Sequence, residues 1–216
     1  MKHVSPLEVT RQGRAKGPTR RALAKQQTRA KVLAAARKLF SEHGYQGATI
    51  RDIAAAAGMS TGAVFANFSD KTDLFRDIVS ADLEQLIALM REGASRGKTV
   101  EDALLRLFMA GYGFYRDQMP LARAALVAIW SEEDEGISAA SRERLGLVPR
   151  LIADQLALGI ERGELRQECD LKLRAQMLFE MFLANFRPAV FESWTVEAVQ
   201  ARARDQIRVL LSGARR

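Results

Sequence analysis

The sequence predicts an all-α protein with a small N-terminal helical domain and a larger C-terminal helical domain. Three observations point to this fold class. Apolar residues recur with a period near 3.6 residues along almost the whole chain. Only 5 of the 216 residues are proline. No segment of useful length alternates apolar with polar residues, as a half-buried strand would.

The first helical segment precedes a glycine. Its apolar residues fall on one face of a helix and are Val32, Ala35, Ala36, Leu39 and Phe40. Gly44 follows at a point where glycine commonly ends a helix, because it adopts the left-handed backbone conformation without strain. The pattern predicts a helix that stops near Gly44.

Two short helices follow, joined by a tight turn. Thr49 is a favourable N-cap, and Asp52 stands three residues later, where a capping-box partner belongs. Gly58 ends the first helix and turns the chain, and Ser60 caps a second helix that we expect to run to about Phe68. Helix, glycine turn and helix form a helix-turn-helix unit, whose second helix can lie in the DNA major groove.

This stretch resembles the DNA-binding domain of the TetR family of bacterial transcriptional regulators, whose pattern is roughly T-x-R-D-I-A-x-x-A-G-V-S-x-G-x-L-Y-x-H-F-x-x-K. The residues in matching places are Thr49, Arg51, Asp52, Ile53, Ala54, Ala57, Gly58, Ser60, Gly62, Phe68 and Lys71. Near substitutions stand at Met59, Val64, Phe65 and Asn67. The resemblance covers residues 28–80, about a quarter of the chain, and implies a dimer with two DNA-binding heads.

The resemblance also implies which residues contact DNA. The matching positions are Thr49, Arg51, Ser60, Thr61, Gly62, Phe65, Asn67 and Lys71. We expect Asn67 to read adenine, Arg51 to bind guanine or a phosphate, and Lys71 to hold a phosphate. Thr49 and Ser60 can act as helix caps alone or as caps and DNA contacts together, and Arg51 can be an ordinary surface arginine.

Two positions depart from the family's pattern. Phe65 stands where tyrosine is usual, so a hydroxyl contact to phosphate is absent. Ala66 stands where a large polar or aromatic residue is common. We therefore expect the second helix to read bases with fewer side chains, with Phe65 and Ala66 available to thymine methyl groups.

Positive charge is concentrated beside the motif. Residues 1–47 contain eleven Lys and Arg against two acidic residues, a net +9, whereas the remainder of the chain has a net −2. Residues 1–25 are basic and poor in apolar side chains, which predicts a flexible arm. Over residues 1–15 the arm can equally be a solubilising tail. We expect Arg20, Arg21 and Lys25 to follow the DNA backbone or enter the minor groove.

The remainder of the chain reads as a series of helices. Asp70 caps a long helix that reaches about Met90 and connects the head to the C-terminal domain. The later helices are expected at residues 100–115, 120–130, 138–161 with a kink at Pro149, 170–186 ending before Pro188, and 195–211.

The segment 171–186 is apolar on nearly every side, which is typical of a helix buried against more than one neighbour. One face can pack on its own subunit and the other on a second copy. The last helix can complete a four-helix interface through Val196, Val199, Ile207, Leu210 and Leu211. The alternative is a central helix in a monomeric bundle, but a helix-turn-helix head typically binds two half-sites.

Methionine and aromatic residues in the C-terminal domain are candidates to line an effector pocket, because they suit adaptable apolar sites. The candidates are Phe108, Met109, Tyr112, Trp130, Met177, Met181 and Phe182. Stripes of this kind are more often plain core. Few fixed charges stand among them, so the pattern favours a hydrophobic or amphipathic small molecule.

Enzyme chemistry finds no support in the sequence. The only histidines are His3 and His43, and there is no glycine-rich phosphate loop, Cys/His metal spacing or nucleophile elbow. We expect no catalytic residues, no cofactor and no metal. No apolar run reaches the roughly 18 residues of a membrane span, and the single Cys169 fits a reducing compartment. The expected location is the cytoplasm, at the nucleoid.

The sequence thus predicts a TetR-like repressor with three parts: a basic flexible arm over residues 1–25, a helix-turn-helix domain over 26–72, and a helical effector-binding and dimerisation domain over 73–216. It would bind double-stranded DNA at a palindromic operator as a homodimer and release it when the effector binds. Two alternatives remain: a dimeric DNA-binding regulator without an effector, and a helical ligand carrier with a vestigial head.

Overall fold

The computed structural model describes residues 19–116, 118–130, 138–168, 170–192 and 194–214, without the side chains of residues 129, 130, 140 and 190. Three expectations lie outside the described residues: those for residues 1–18 of the basic arm, for Cys169, and for the side chain of Trp130.

The fold is all-α, as predicted. The helices of the described residues are α1 (Arg20–Gly47), α2 (Ile50–Ala56), α3 (Thr61–Phe65), α4 (Lys71–Ser95), α5 (Val100–Phe114), α6 (Met119–Trp130), α7 (Ala139–Leu145), α8 (Leu147–Glu161), α9 (Leu171–Phe191) and α10 (Val196–Ser212). None of the helices in this part of the chain is long and apolar enough to cross a membrane.

The helix-turn-helix unit lies in a head that consists of α1, α2, α3 and the first turns of α4. Its fully or almost fully buried side chains are Val32, Ala36, Phe40, Ile53, Val64, Phe68, Leu74 and Phe75. The predicted stop at Gly44 is a break inside α1, where the backbone leaves the helical region at φ +74° and then continues to Gly47. Gly58 has φ +67° and makes the turn between α2 and α3. Both glycines therefore adopt the left-handed conformation that the sequence predicts.

The second helix of the motif is shorter than predicted. α3 ends at Phe65, and Ala66 is its C-cap, whereas we expected a helix through Phe68. The amide of Asn67 donates to the carbonyl of Val64, so the last turn tightens instead of continuing as α-helix. Asp70 then caps α4, as predicted, by accepting a bond from the amide of Asp73 at 2.7 Å.

α4 belongs to both halves of the molecule. Its first turns bury Leu74 and Phe75 in the head, and its later turns bury Leu83 and Met90 in the C-terminal body. The body consists of the rest of α4 and of α5 to α10. Helices α5, α7 and α8 pack against α4, whereas α9 packs against α8 and α10 packs against α5 and α9. α1 also packs against α6, so the head contacts the body away from α4 as well.

Two helix boundaries in the body correct the prediction. The expected kinked helix over 138–161 is two helices, α7 and α8, which meet at Gly146. Pro149 lies in the first turn of α8, where an amide has no partner within the helix, so it causes no kink. α9 does not end before Pro188 but continues to Phe191, with Pro188 inside its last turn.

The turn at Gly58 provides a test of backbone strain. Gly58→Ala is expected to lower the free energy of unfolding by about 1–2 kcal/mol, the cost of placing an L-residue in the left-handed region. A Cβ at this position would meet no atom within 4 Å, so the cost is conformational and not steric. Urea unfolding measures the effect.

Gly113→Ala is the matched control, because Gly113 lies in α5 and a Cβ there also meets nothing within 4 Å. In a helix, alanine is favoured over glycine by up to about 1 kcal/mol, so this variant should be more stable than the native protein. Equal effects of the two substitutions would contradict the assignment of strain to Gly58.

Candidate DNA-binding surface and C-terminal cavity

The first helix of the motif is held by a capping box. The amide of Asp52 donates to Thr49 Oγ1 at 3.2 Å, and the amide of Thr49 donates to Asp52 Oδ2 at 3.2 Å. The Thr49 hydroxyl also donates to Asp52 Oδ2 at 2.6 Å. These bonds to Thr49 lower the pKa of the Asp52 carboxyl below its ordinary value. The capping roles predicted for both residues are confirmed.

The second helix presents an exposed, largely uncharged surface. Ser60 caps α3 by accepting from the amide of Ala63 at 3.2 Å, and Ser60, Thr61 and Gly62 are all exposed. A Cβ on Gly62 would meet only Ser60 Oγ, at 3.9 Å, so the backbone there is open to close approach. Phe65 is 55% exposed, which is unusual for a large apolar side chain and marks a contact surface.

The side chain of Asn67 bonds to the backbone of the second helix. Its Nδ2 donates to the carbonyl of Ala63 at 3.0 Å, so the side chain folds back onto α3. Its Oδ1 is buried and has no hydrogen-bond partner among the described residues. The structure therefore gives Asn67 a role at the end of α3, and its adenine contact stays a prediction.

Lys71 lies at the carboxyl end of α1. Its Nζ donates to the carbonyls of Tyr45 at 3.0 Å and Ala48 at 3.3 Å, and lies 4.4 Å from the centre of the Tyr45 ring. A cation at this end of a helix satisfies free carbonyls and complements the helix dipole. Lys71 thus joins the start of α4 to the end of α1, a role that the resemblance did not indicate.

Arg29 is a structural residue of the head that the sequence-based prediction missed. Its Nη1 donates to the carbonyl of Asn67 at 2.6 Å, its Nη2 pairs with Asp77 on α4, and its guanidinium lies 4.1 Å from the centre of the Phe68 ring. The sequence could have indicated this structural role, because Arg29 stands on the same helical face as Val32 and so lies in an apolar stripe.

The basic residues before the motif lie in a helix. Thr19 caps α1 by accepting from the amide of Ala22 at 3.2 Å, and Arg20, Arg21 and Lys25 are exposed in its first turns. The prediction that residues 20–25 belong to a flexible arm is therefore wrong, because α1 begins at Arg20. Arg51 is also exposed, in the first turn of α2.

The body contains a small enclosed cavity of about 30 Å³. Its lining is almost entirely apolar and consists of Val79, Leu83, Leu86, Tyr115, Ala122, Ala125, Leu126, Leu145, Val148, Phe182, Leu183 and Phe186. A volume of this size holds about one water molecule. The lining of this cavity has the apolar character that was predicted for the effector pocket.

Most of the predicted pocket residues lie elsewhere in the body. Among those whose side chains the structure describes, Phe182 alone lines the cavity. Phe108 is fully buried, and Tyr112 donates its hydroxyl to the carbonyl of Phe182 at 3.2 Å and stacks on its ring at 5.0 Å. Burial raises the pKa of Tyr112, so its hydroxyl stays protonated. These residues are core, as the alternative interpretation proposed.

The three predicted methionines also lie away from the cavity. Met109 is half-buried against the core. Met177 is 42% exposed on α9, and Met181 lines a surface groove between α9 and α10. No group of His, Cys, Asp and Glu side chains in the described part of the chain could hold a metal ion.

Comparison with known proteins identifies the N-terminal domain. Residues 32–78 match the family model of bacterial regulatory proteins of the tetR family. The HTH-type transcriptional repressor AcnR of Corynebacterium glutamicum is 40% identical over 65 residues, which are 30% of this chain and 35% of that repressor. The chain thus aligns with about a third of the length of AcnR.

Two relatives extend into the body. The HTH-type transcriptional repressor KstR2 of Mycobacterium tuberculosis is 27% identical over 150 residues, covering 67% of this chain and 72% of KstR2. The crystal structure of the transcriptional regulator FadR from Bacillus subtilis in complex with stearoyl-CoA has a TM-score of 0.69 at 20% identity. It covers 85% of this chain and 98% of that chain, so the two share their fold.

Lys71 provides a test of how the head is held together. Lys71→Met is expected to lower the free energy of unfolding by about 1–3 kcal/mol, because two carbonyls at the end of α1 lose a charged donor. Lys38→Met is the control, since Lys38 is exposed and lies 3.9 Å from Glu42 in a surface pair worth less than about 1 kcal/mol. Urea unfolding that shows no difference between the two variants would contradict the structural role.

Proposed function

Because the chain belongs, through residues 32–78, to the TetR family of bacterial regulatory proteins, we propose that it is a transcriptional repressor. It binds a palindromic operator in double-stranded DNA as a homodimer and acts in the cytoplasm, at the nucleoid. The observation that carries the proposal is the exposed first turn of α3, with Phe65 beside it, in a well-capped helix-turn-helix unit.

The charge distribution supports DNA as the partner. The net +9 of residues 1–47 lies on the segment that contains α1, and Arg20, Arg21 and Lys25 are exposed in its first turns. Cations there can contact phosphates on either side of the groove that α3 enters. Phe65 can contact thymine methyl groups, and Arg51 can reach a phosphate or guanine. Thr49, Ser60, Thr61 and Gly62 can add hydroxyl and backbone contacts to phosphate.

An unpartnered apolar face on α9 and α10 supports the homodimer. Leu173 is 53% exposed, Met177 is 42% exposed and Val209 is 72% exposed. Met181, Val209 and Leu210 line the groove between the two helices. An apolar face of this kind is typical of a protein interface. The predicted contributions of Val199, Ile207 and Leu211 do not fit, because these side chains are buried within their own subunit.

We propose the cavity of the body as the effector site. Its apolar lining suits a hydrophobic or amphipathic small molecule, whose affinity would come mainly from apolar burial. Two structurally similar regulators support the same class of ligand. FadR from Bacillus subtilis was crystallised with stearoyl-CoA, and KstR2 is described as a ketosteroid regulator. At about 30 Å³ the cavity must widen before such a ligand enters.

A repressor without a small-molecule effector is the second candidate. The small volume of this cavity favours it, because a regulator controlled by a protein partner or by its own abundance needs no site large enough for a ligand. Both candidates share the DNA-binding head and the dimer. They differ in whether a ligand changes operator affinity.

Operator binding is tested first. A preferred site selected from random DNA should be bound by a dimer, with an affinity that falls steeply with salt because several Lys and Arg contact phosphates. Arg51→Ala should weaken binding roughly tenfold, the usual cost of losing one base contact. Arg91→Ala, an exposed change on α4 outside the head, should have no effect. A flat salt dependence, or a monomer in sedimentation, would refute the proposal.

Effector binding is tested on the operator complex with stearoyl-CoA and with free stearate as probes. We expect at least one probe to release the DNA. Ala125→Val, which fills part of the cavity, should weaken that response roughly tenfold, whereas Ala81→Val on the exposed side of α4 should not. Failure of both probes, with operator binding intact, would favour the second candidate.

A further inference from the structure

A buried carboxylate lies where the head meets the body. Asp82 is only 1% exposed and is the one buried acidic or basic side chain among the described residues. It stands on α4 within an apolar stripe that includes Ile78, Val79 and Leu83. An ionised group at such a position is costly unless it is paired.

The partner of Asp82 comes from the head. Arg37 on α1 pairs with Asp82 Oδ1 through Nη2, and its Nη1 donates to Gln118 Oε1 at 3.4 Å. The hydroxyl of Ser41 on α1 donates to the same Gln118 oxygen at 3.4 Å. Gln118 directly precedes α6, and its carbonyl accepts from the amide of Ala122. This cluster therefore joins α1 to both α4 and α6.

The pair is poorly built for stability. Asp82 Oδ2 is buried and has no hydrogen-bond partner among the described residues. Burial raises the pKa of Asp82 above its ordinary value of 3.8, although the bond and charge of Arg37 act in the opposite direction. Because the folded-state pKa is raised, the ionised carboxylate makes the fold less stable as the pH rises from acid toward neutral. Two apolar side chains of similar volume would be equally or more stabilising.

The pair restricts the relative position of the helices that carry it. A buried charge is stable only in arrangements that keep its partner within bonding distance, whereas apolar surfaces can slide over one another. Arg37 is 34% exposed, so its guanidinium reaches Asp82 from the rim of the head and can do so only when α1 lies in one register on α4 and α6.

We propose that the Arg37–Asp82 pair sets the orientation of the DNA-binding head on the body, and thereby the operator half-site spacing that the dimer accepts. Arg37 acts as a positioning residue and does not contact DNA in this role. The inference rests on the proposed function, since spacing has meaning only for two heads on one operator.

The pair also lies beside the cavity. Val79 and Leu83, which lie near Asp82 on α4, line the cavity, as does Tyr115, the C-cap of α5. Burial raises the pKa of Tyr115, and the nearby charge of Asp82 raises it further. A change in the shape of the cavity would displace Asp82. The same pair can therefore transmit a conformational change from the body to the head.

Three variants of the full-length protein separate orientation from stability. Arg37→Met leaves Asp82 buried without its partner and should lower the melting temperature strongly. The double variant Arg37→Met/Asp82→Leu removes both charges and should recover the native melting temperature or exceed it. Arg208→Gln is the control, because it breaks the exposed pair of Arg208 with Glu101 between α10 and α5.

Each variant is then bound to the selected operator and to versions whose half-sites are moved closer or farther by one and two base pairs. The native protein and Arg208→Gln should prefer one spacing. In the double variant, the ratio between the affinities for the preferred and the altered spacing should fall at least roughly fivefold, although the variant stays stable. Fivefold is the lower end of typical couplings between sites.

Retained spacing preference in a stable double variant would overturn the inference while leaving the repressor proposal intact. A double variant as unstable as Arg37→Met would overturn it as well, since the pair would then serve stability. Absence of any preferred operator for the native protein would instead refute the proposed function on which the inference rests.

Discussion

The shortness of α2 and α3 is the constraint on which the structure of the head depends. Helices of 7 and 5 residues are too short to be stable in water alone, because nucleation is unfavourable and few hydrogen bonds follow it. The caps at Thr49 and Ser60 satisfy their free amides, and the buried side chains of Ile53 and Val64 fix them in the head core. The exposed surface of α3 is therefore only as rigid as its supports.

Those supports converge on α4. Lys71 holds the first residue of α4 to the end of α1, and Arg29 links α1 to Asp77 and to the carbonyl of Asn67 just after α3. Further along, Asp82 links α4 to Arg37. One helix of 25 residues thus carries the support of α3 at one end and a wall of the C-terminal cavity at its middle. Any displacement of α4 acts on both.

Local sequence signals predicted the motif well because their causes are local. The capping box of Thr49 and Asp52 needs only two side chains three residues apart, and the turn at Gly58 needs only a residue that tolerates positive φ. The roles of Asn67 and Lys71 were harder to predict. Both side chains can serve DNA or protein equally well, and the choice depends on carbonyls that α3 and α1 place next to them.

In the body, too, features with local causes were predicted, and features that depend on distant contacts were not. Periodicity predicted its helices, but not that Pro149 would fall in the first turn of α8. It also did not separate the pocket candidates that belong to the core, such as Tyr112, from those that line the cavity, such as Phe182. Apolar spacing shows that a residue faces a neighbour and leaves open which neighbour it is.

The sequence by itself determined the all-α class, the helix-turn-helix unit and the basic N-terminal segment, because periodicity, capping and charge are properties of neighbouring residues. Only the tertiary structure decided that Arg29 and Lys71 join α1 to the first turns of α4, that Arg37 pairs with Asp82 where the head meets the body, and that an apolar cavity of about 30 Å³ lies beside that pair. The partners in those contacts are 23 to 48 residues apart in the chain, and only packing brings them within reach of one another.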